Sequence, residues 1–154
     1  MIVLKSILHN LAVVAVGFVV ALGGLGLDRL FALAEFRSIS VRVVGSVLIC
    51  IGFLIRAWAT YFFYKNHMRV IVTTAQETLL TSGPYHYSRN PLYLGGNGFI
   101  FFGAGFVLGS PAALVITAIH LPFVDLFIRR EERHLNQRFG EEWERYSRSV
   151  RRWI

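Results

Sequence analysis

The sequence predicts an all-α, polytopic integral membrane protein with about four transmembrane helices, and three observations carry that expectation. Hydrophobic residues make up 55% of the 154 positions and charged ones 16%, with mean hydropathy +0.53, above the roughly 45–50% apolar share of soluble domains. The apolar residues gather in four long runs, each near the ~20 residues that carry a helix across a ~30 Å hydrocarbon core. The cations behind the formal charge of +7 lie between and beyond those runs, a distribution that suits membrane flanks and argues against a nucleic-acid partner. An aromatic content of 14% excludes disorder, and the length suits one domain, residues 1–154. The single cysteine, Cys50, sits inside an apolar run, so an intrachain disulfide and the thiol-rich metal patterns are excluded and no metal is expected.

The first span covers about residues 2–27, apolar apart from Lys5, Ser6, His9 and Asn10. It exceeds the ~7–15-residue apolar region of a secretory signal, and no small-x-small site precedes a polar mature region. The second covers about 43–64 and contains Arg56. A lone intramembrane cation either faces a partner or cavity or snorkels to the nearer interface, and both readings stand at this level. The third and fourth spans, about 92–108 and 112–128, are separated by Gly109-Ser110-Pro111, which breaks a helix and marks a tight hairpin. Gly95, Gly96, Gly98, Gly103 and Gly105 allow close helix approach in lipid, though ordinary packing accounts for most of them. Asp125 and Arg129 share a helical face and read as an interfacial ion pair without a chemical role.

Twelve cations fall on one side of these spans (Lys5, Lys65, Arg69, Arg89 and the eight arginines after residue 128) against Arg29, Arg37 and Arg42 on the other. That bias places both termini in the cytoplasm. The tail, residues 129–154, reads as a cytoplasmic helical segment that continues the fourth span, breaks at Gly140 and resumes at Glu141. Its later part is expected to be solvated or to lie on the lipid surface, with Trp143, Tyr146 and Trp153 at headgroup level.

The loop before the third span is chemically denser. Gly83-Pro84 forces a turn, Pro91 suits the first turn of a helix, and Asn90 is typed as its N-cap. Those roles leave unexplained why Tyr85, Tyr87, Tyr93, His86 and Arg89 crowd one membrane-proximal turn, where aromatic faces and a helix N-terminus suit a charged aromatic small molecule. An interfacial tyrosine belt is the competing account.

The pattern Gly83-Pro84-Tyr85-x-Tyr87-x-Arg89-Asn90-Pro91-x-Tyr93-Leu94-Gly95, followed beyond the hairpin by Glu131-Glu132-x-x-Leu135-x-x-x-Phe139-Gly140-x-x-Trp143-x-x-Tyr146, resembles the isoprenylcysteine carboxyl methyltransferase and phospholipid methyltransferase superfamily, in its bacterial form. The resemblance covers about the second half of the chain. It implies a membrane enzyme that binds S-adenosylmethionine, releases S-adenosylhomocysteine, and takes a lipophilic acceptor from the bilayer into a site facing the cytoplasm of a prokaryotic inner membrane. By the same resemblance Tyr85, Arg89, Asn90, Pro91, Tyr93, Leu94, Glu131 and Glu132 lie at the cofactor, with Arg89 and Glu132 acting in catalysis. Many prenylcysteine-type members carry histidine where Asn90 stands, and asparagine resembles the bacterial and phospholipid-type variant.

Such residues suit methyl transfer, an in-line displacement whose catalysis is mostly placement, worth up to ~7–11 kcal/mol. A carboxylate acceptor needs only an orienting cation such as Arg89, Arg129 or Arg130. An amine must first lose a proton, for which Glu132 or His86 is the candidate base, ahead of His67, His120 and His134. Phospholipid amine methylation, and a non-enzymatic protein whose basic tail holds anionic lipid at ~1 kcal/mol per cation, are the alternative functions. The topology is open to direct test. In a Cys50→Ala background, a cysteine at Arg138 is expected to react with a membrane-impermeant maleimide only after permeabilisation, and one at Arg42 in intact cells.

Overall fold

In a computed structural model, residues 2–36, 38–66 and 78–154 are described, and all their regular structure is helical. Four helices are long and apolar enough to cross a membrane: α1 Ile2–Leu30, α2 Ile39–Lys65, α3 Pro91–Leu108 and α4 Pro111–Phe139. A short amphipathic helix, α5, follows at Glu141–Ser149, and a single 3₁₀ turn at Gly83–His86 precedes α3. Helices α1 and α2 extend a few residues beyond the apolar runs, because polar residues at an interface continue a helix without cost. The fourth helix runs unbroken from the hairpin past residue 128 to Phe139, with Pro122 inside it.

Burial in this bundle is inverted relative to a soluble protein. The inward residues of α1 are Ser6, Asn10, Gly17, Ala21, Gly24 and Asp28, spaced so that they form one stripe, and all are small or polar. Large apolar side chains such as Leu4, Val19, Leu54, Ile119 and Phe123 stand exposed on the outside. Lipid is as apolar as leucine, so helices associate through close backbone approach and hydrogen bonds rather than through apolar burial. One such approach joins α2 to α3, where a Cβ on Gly52 would stand 2.5 Å from the Gly95 carbonyl oxygen and one on Gly103 would stand 2.7 Å from that of Gly45. Gly98 meets only Leu94, at 3.4 Å, and plays no part in that contact.

The two ends of the bundle are tied by polar groups. At one end Asn10 donates to Thr60 Oγ1 at 2.8 Å, Ser6 pairs with the same hydroxyl, and Arg56 Nε donates to Asn10 Oδ1 at 3.0 Å. Arg56 Nη1 also donates to the Leu92 carbonyl at 2.6 Å, and Nη2 to His9 Nε2 at 3.3 Å. Arg56 is 7% exposed; it faces partners and does not snorkel. Its contact with Leu92 falls just before Leu94–Ile100, where α3 loosens into a π-helix, a distortion frequent at functional sites.

At the other end, the hairpin expected at Gly109-Ser110-Pro111 is present. Gly109 adopts φ 68, and a Cβ there would stand 2.3 Å from the Phe36 carbonyl oxygen, so only glycine fits. Ser110 caps α4 by accepting from Ala113 N at 3.0 Å, while buried Asp28 accepts from the Ser110 hydroxyl and from Ala112 N at 2.9 Å. A carboxylate from α1 thus satisfies the N-terminal donors of α4 and complements its dipole. Asp28→Ala leaves buried donors unpaired, at ~1–3 kcal/mol each. It is expected to lower the thermal midpoint in detergent clearly, and Asp28→Asn, which keeps an acceptor, by less.

Candidate functional site

The site is built on the loop entering α3. Gly83, at φ 62, and Pro84 start the 3₁₀ turn, which sends Tyr85 inward onto Ala59 and Phe63 of α2, its ring 5.6 Å from that of Phe63. The next two residues turn outward: His86 and Tyr87 are exposed and stack edge-on at 5.3 Å. Asn90 occupies the N-cap position of α3, but its side chain does not cap the helix. It donates instead to the Arg152 carbonyl at 3.2 Å, as does Ser88 Oγ at 3.3 Å, while Arg89 N donates to the Arg151 carbonyl at 3.0 Å. The segment after α5 therefore lies along residues 88–90.

That segment also carries Arg152 to α4. Its Nη2 and Nε donate to the two carboxylate oxygens of Glu132 at 2.6 and 3.2 Å, a bidentate pair, and Nη1 lies 3.5 Å from Asp125. Arg89 Nη1 reaches the same Glu132 at 3.5 Å while its guanidinium sits 5.7 Å from the centre of the Trp143 ring. Asp125 keeps the expected partner, Arg129, at 2.6 Å. One residue before Glu132, Glu131 accepts from the Tyr93 hydroxyl at 3.1 Å.

These groups surround an open cleft with about 520 Å³ of empty space, the solvent at its mouth included. Phe63 and Leu80 form the apolar wall; Tyr85, Arg89, Asn90, Pro91, Leu92 and Tyr93 come from the loop and α3; Glu131, Glu132 and Leu135 from α4; Trp143 and Tyr146 from α5, with Leu79 beside them. Seven of the eight residues expected at the cofactor line it, and Leu94, one residue farther along α3, does not. His86, expected as a candidate base, lies outside the cleft, as do His120 and His134, which are exposed; His67 and Arg69 lie outside the described residues.

Trp143 and Tyr146 correct the expectation of a lipid-surface tail. Spaced i, i+3 and i+7 with Val150, they share one face and bury it on Leu79, Leu135 and Phe139. The helix is solvated only on its charged side, and the Tyr146 hydroxyl donates to the Tyr85 carbonyl at 2.7 Å. Leu79, Leu80 and Arg152 had no local signal in the sequence, because their roles come from contacts with segments far away in the chain.

The polar groups are tuned by these contacts. Burial pushes the Tyr85 hydroxyl well above its usual pKa, with Tyr146 and Glu131 adding to the shift and Arg56 opposing it. Burial likewise raises Tyr146, against the pull of Arg89. Both phenols are therefore neutral donors at physiological pH. Hydrogen bonds to Glu132 raise Arg152 above its ordinary value. Two buried polar atoms of the lining, the Tyr85 hydroxyl and Arg89 Nε, have no hydrogen-bond partner among the described residues, as donors awaiting a ligand would. No three His, Cys, Asp or Glu side chains cluster as a metal-ligand set among the described residues.

A model of the phospholipid methyltransferase family matches residues 41–142, from the start of α2 to the start of α5. The chain belongs to the phospholipid methyltransferase family. Within this family member the match takes in most of the cleft, and Trp143, Tyr146 and Arg152 fall just beyond it. The chain is also 33% identical over 115 residues to proteins named as probable protein-S-isoprenylcysteine O-methyltransferase in Oryza sativa subspecies indica and japonica. That alignment covers 71% of the chain and 59% of those relatives' length. No solved structure matches the chain significantly.

The Arg152 contact makes a prediction about this family member. Arg152→Ala removes the bidentate pair and frees the terminal segment, at about 1–2 kcal/mol for a partly exposed charge-assisted contact. Limited proteolysis is expected to cut after α5 sooner than in wild type, with α1–α4 unaffected.

Proposed function

We propose that the chain is an S-adenosylmethionine-dependent methyltransferase acting on a lipophilic acceptor, in the manner of isoprenylcysteine carboxyl methyltransferases. The observation that carries the reading is the cleft itself. It joins apolar residues to two buried donor atoms without a partner among the described residues, the Tyr85 hydroxyl and Arg89 Nε, in a chain of the phospholipid methyltransferase family. The cation bias of the loops supports a cytoplasm-facing cleft, which in a prokaryotic cell means the inner membrane.

When bound, the cofactor supplies an electrophilic methyl group on a sulfonium. Tyr85, Arg89, Pro91, Tyr93, Glu131 and Glu132 are the residues that would hold it, and the unpaired donors and aromatic faces fit its polar and cationic groups. The Glu132–Arg152 and Glu132–Arg89 pairs close the cytoplasmic side, and Trp143, Leu135 and Phe63 keep water from the reacting centre. An acceptor's lipid chain would approach along the lipid-exposed ring of Phe127, which packs 6.2 Å from the ring of Tyr93 in the cleft wall.

The geometry favours an acceptor that is already anionic. Glu132 is engaged by two arginines, Glu131 accepts from Tyr93, and His86 lies outside the cleft. An amine would find its candidate bases occupied or absent from the cleft, so a carboxylate acceptor is preferred over phospholipid amine methylation.

The test is thermal unfolding of detergent-purified protein with and without S-adenosylhomocysteine. At about 100 times its dissociation constant the ligand is expected to stabilise wild type by ~2.7 kcal/mol, and Glu132→Ala to lose most of that shift. Methyl label should then pass to an S-prenylated cysteine and not to phosphatidylethanolamine. A folded wild type that shows neither a shift nor binding of labelled cofactor in equilibrium dialysis would instead be a lipid-binding protein.

A further inference from the structure

His120 is a polar side chain that the reaction described above does not use. It lies midway along the apolar run of α4, ~12 Å from either end at 1.5 Å per residue. The buried residues of α4 are Ala113, Thr117, Val124 and Ile128, and His120 shares their helical face, three residues after Thr117 and four before Val124. Yet His120 is exposed. The inward face of α4 is therefore uncovered at this depth.

A second polar group lies on the facing helix. On α3, Asn97 stands one turn after Tyr93 and one turn before Phe101. The rings on both sides of it meet α4: Tyr93 lies 6.2 Å from Phe127, and Phe101 stacks on His120 at 6.4 Å with the planes 24° apart. Asn97 is thereby set on the face of α3 turned to α4. It is half-buried, and among the described residues neither its amide nor the His120 ring has a hydrogen-bond partner. Polar groups at this depth without a partner are costly and mark functional places in a span. The track they form starts at Tyr93 in the cleft wall and runs ~12 Å along α3 into the bilayer.

We propose that Asn97 and His120 are specificity residues for the acceptor, binding an oxygen function, a hydroxyl or a carbonyl, carried part-way along its lipophilic chain. The proposal rests on the methyltransferase reading and deepens it by naming the acceptor class: an anionic lipid with an oxygenated chain. A carboxamide and an imidazole each offer donor and acceptor sides, so the pair matches both the hydrogen and the lone pairs of a hydroxyl. A bare hydrocarbon chain would leave both groups unpaired. Continuity with the cleft favours the acceptor's chain as the occupant over a second copy of the protein, which would cover outward side chains such as Ile119 and Phe123.

The test is native mass spectrometry of the full chain, released from detergent micelles, with octadecanoate and with its hydroxy and oxo derivatives substituted at successive mid-chain carbons. Octadecanoate supplies the carboxylate of the proposed acceptor on a plain chain. Wild type is expected to bind at least one derivative about tenfold more tightly than octadecanoate. Asn97→Leu and His120→Phe, the latter keeping the stack on Phe101, should each lose most of that preference while retaining the affinity for octadecanoate and for S-adenosylhomocysteine. Their ligand-free thermal midpoints should not fall, since neither side chain has a hydrogen bond within the described residues to lose; this separates recognition from folding. A wild type with no preference at any position, or a preference that both variants retain, overturns the proposal. So does a dimer that His120→Phe splits without changing lipid binding, which assigns that face to a second copy. A wild type that keeps the preference but does not bind S-adenosylhomocysteine counts against the methyltransferase reading and supports the oxygen-binding track.

Discussion

The carboxylate of Glu132 is the point at which three separated parts of the chain meet. Arg152 brings the terminal segment to it, Arg89 brings the loop before α3, and α4 supplies it. Side chains this sheltered, 12% exposed for Glu132 and 14% for Arg89, hold charge only when geometry is good, because desolvation opposes the pairing. The bidentate contact from Arg152 meets that condition. The Tyr146–Tyr85 bond, the contacts of residues 88–90 with the carbonyls of Arg151 and Arg152, the Arg89–Trp143 contact and an apolar patch complete the joint between the loop and α5.

That cleft is in turn positioned by packing deeper in the bundle. The Gly52–Gly95 contact sets the height of α3 against α2, and Arg56 ties the first turn of α3 to both α1 and α2. Because that turn supplies Asn90, Pro91, Leu92 and Tyr93 to the cleft wall, the membrane part and the polar part form one mechanical unit. Lipid-facing leucines and phenylalanines keep the bundle in the bilayer, while small residues and buried polar groups decide how its helices fit.

The polar groups divide by what satisfies them. Asp28, Asn10, Thr60 and Glu132 are fully engaged within the chain and hold the architecture. The Tyr85 hydroxyl and Arg89 Nε are buried without a partner among the described residues. They are the two buried side-chain polar atoms so left among the described residues, and both belong to residues that line the cleft.

The sequence by itself determined the spans, the hairpin at Gly109-Ser110-Pro111, the break at Gly140, and most of the polar residues of the cleft. Each of those depends on local composition: apolar length, glycine and proline geometry, or a motif contiguous in the chain. Only the tertiary structure decided that Arg56 faces partners instead of snorkelling, that Asn90 turns from its helix to the Arg152 carbonyl, that Trp143 and Tyr146 face the cleft rather than lipid headgroups, and that Arg152 clamps Glu132. Those outcomes depend on which distant segment arrives beside each side chain, and a charged or aromatic residue at a membrane edge has the same local signature whether it meets water, lipid or protein.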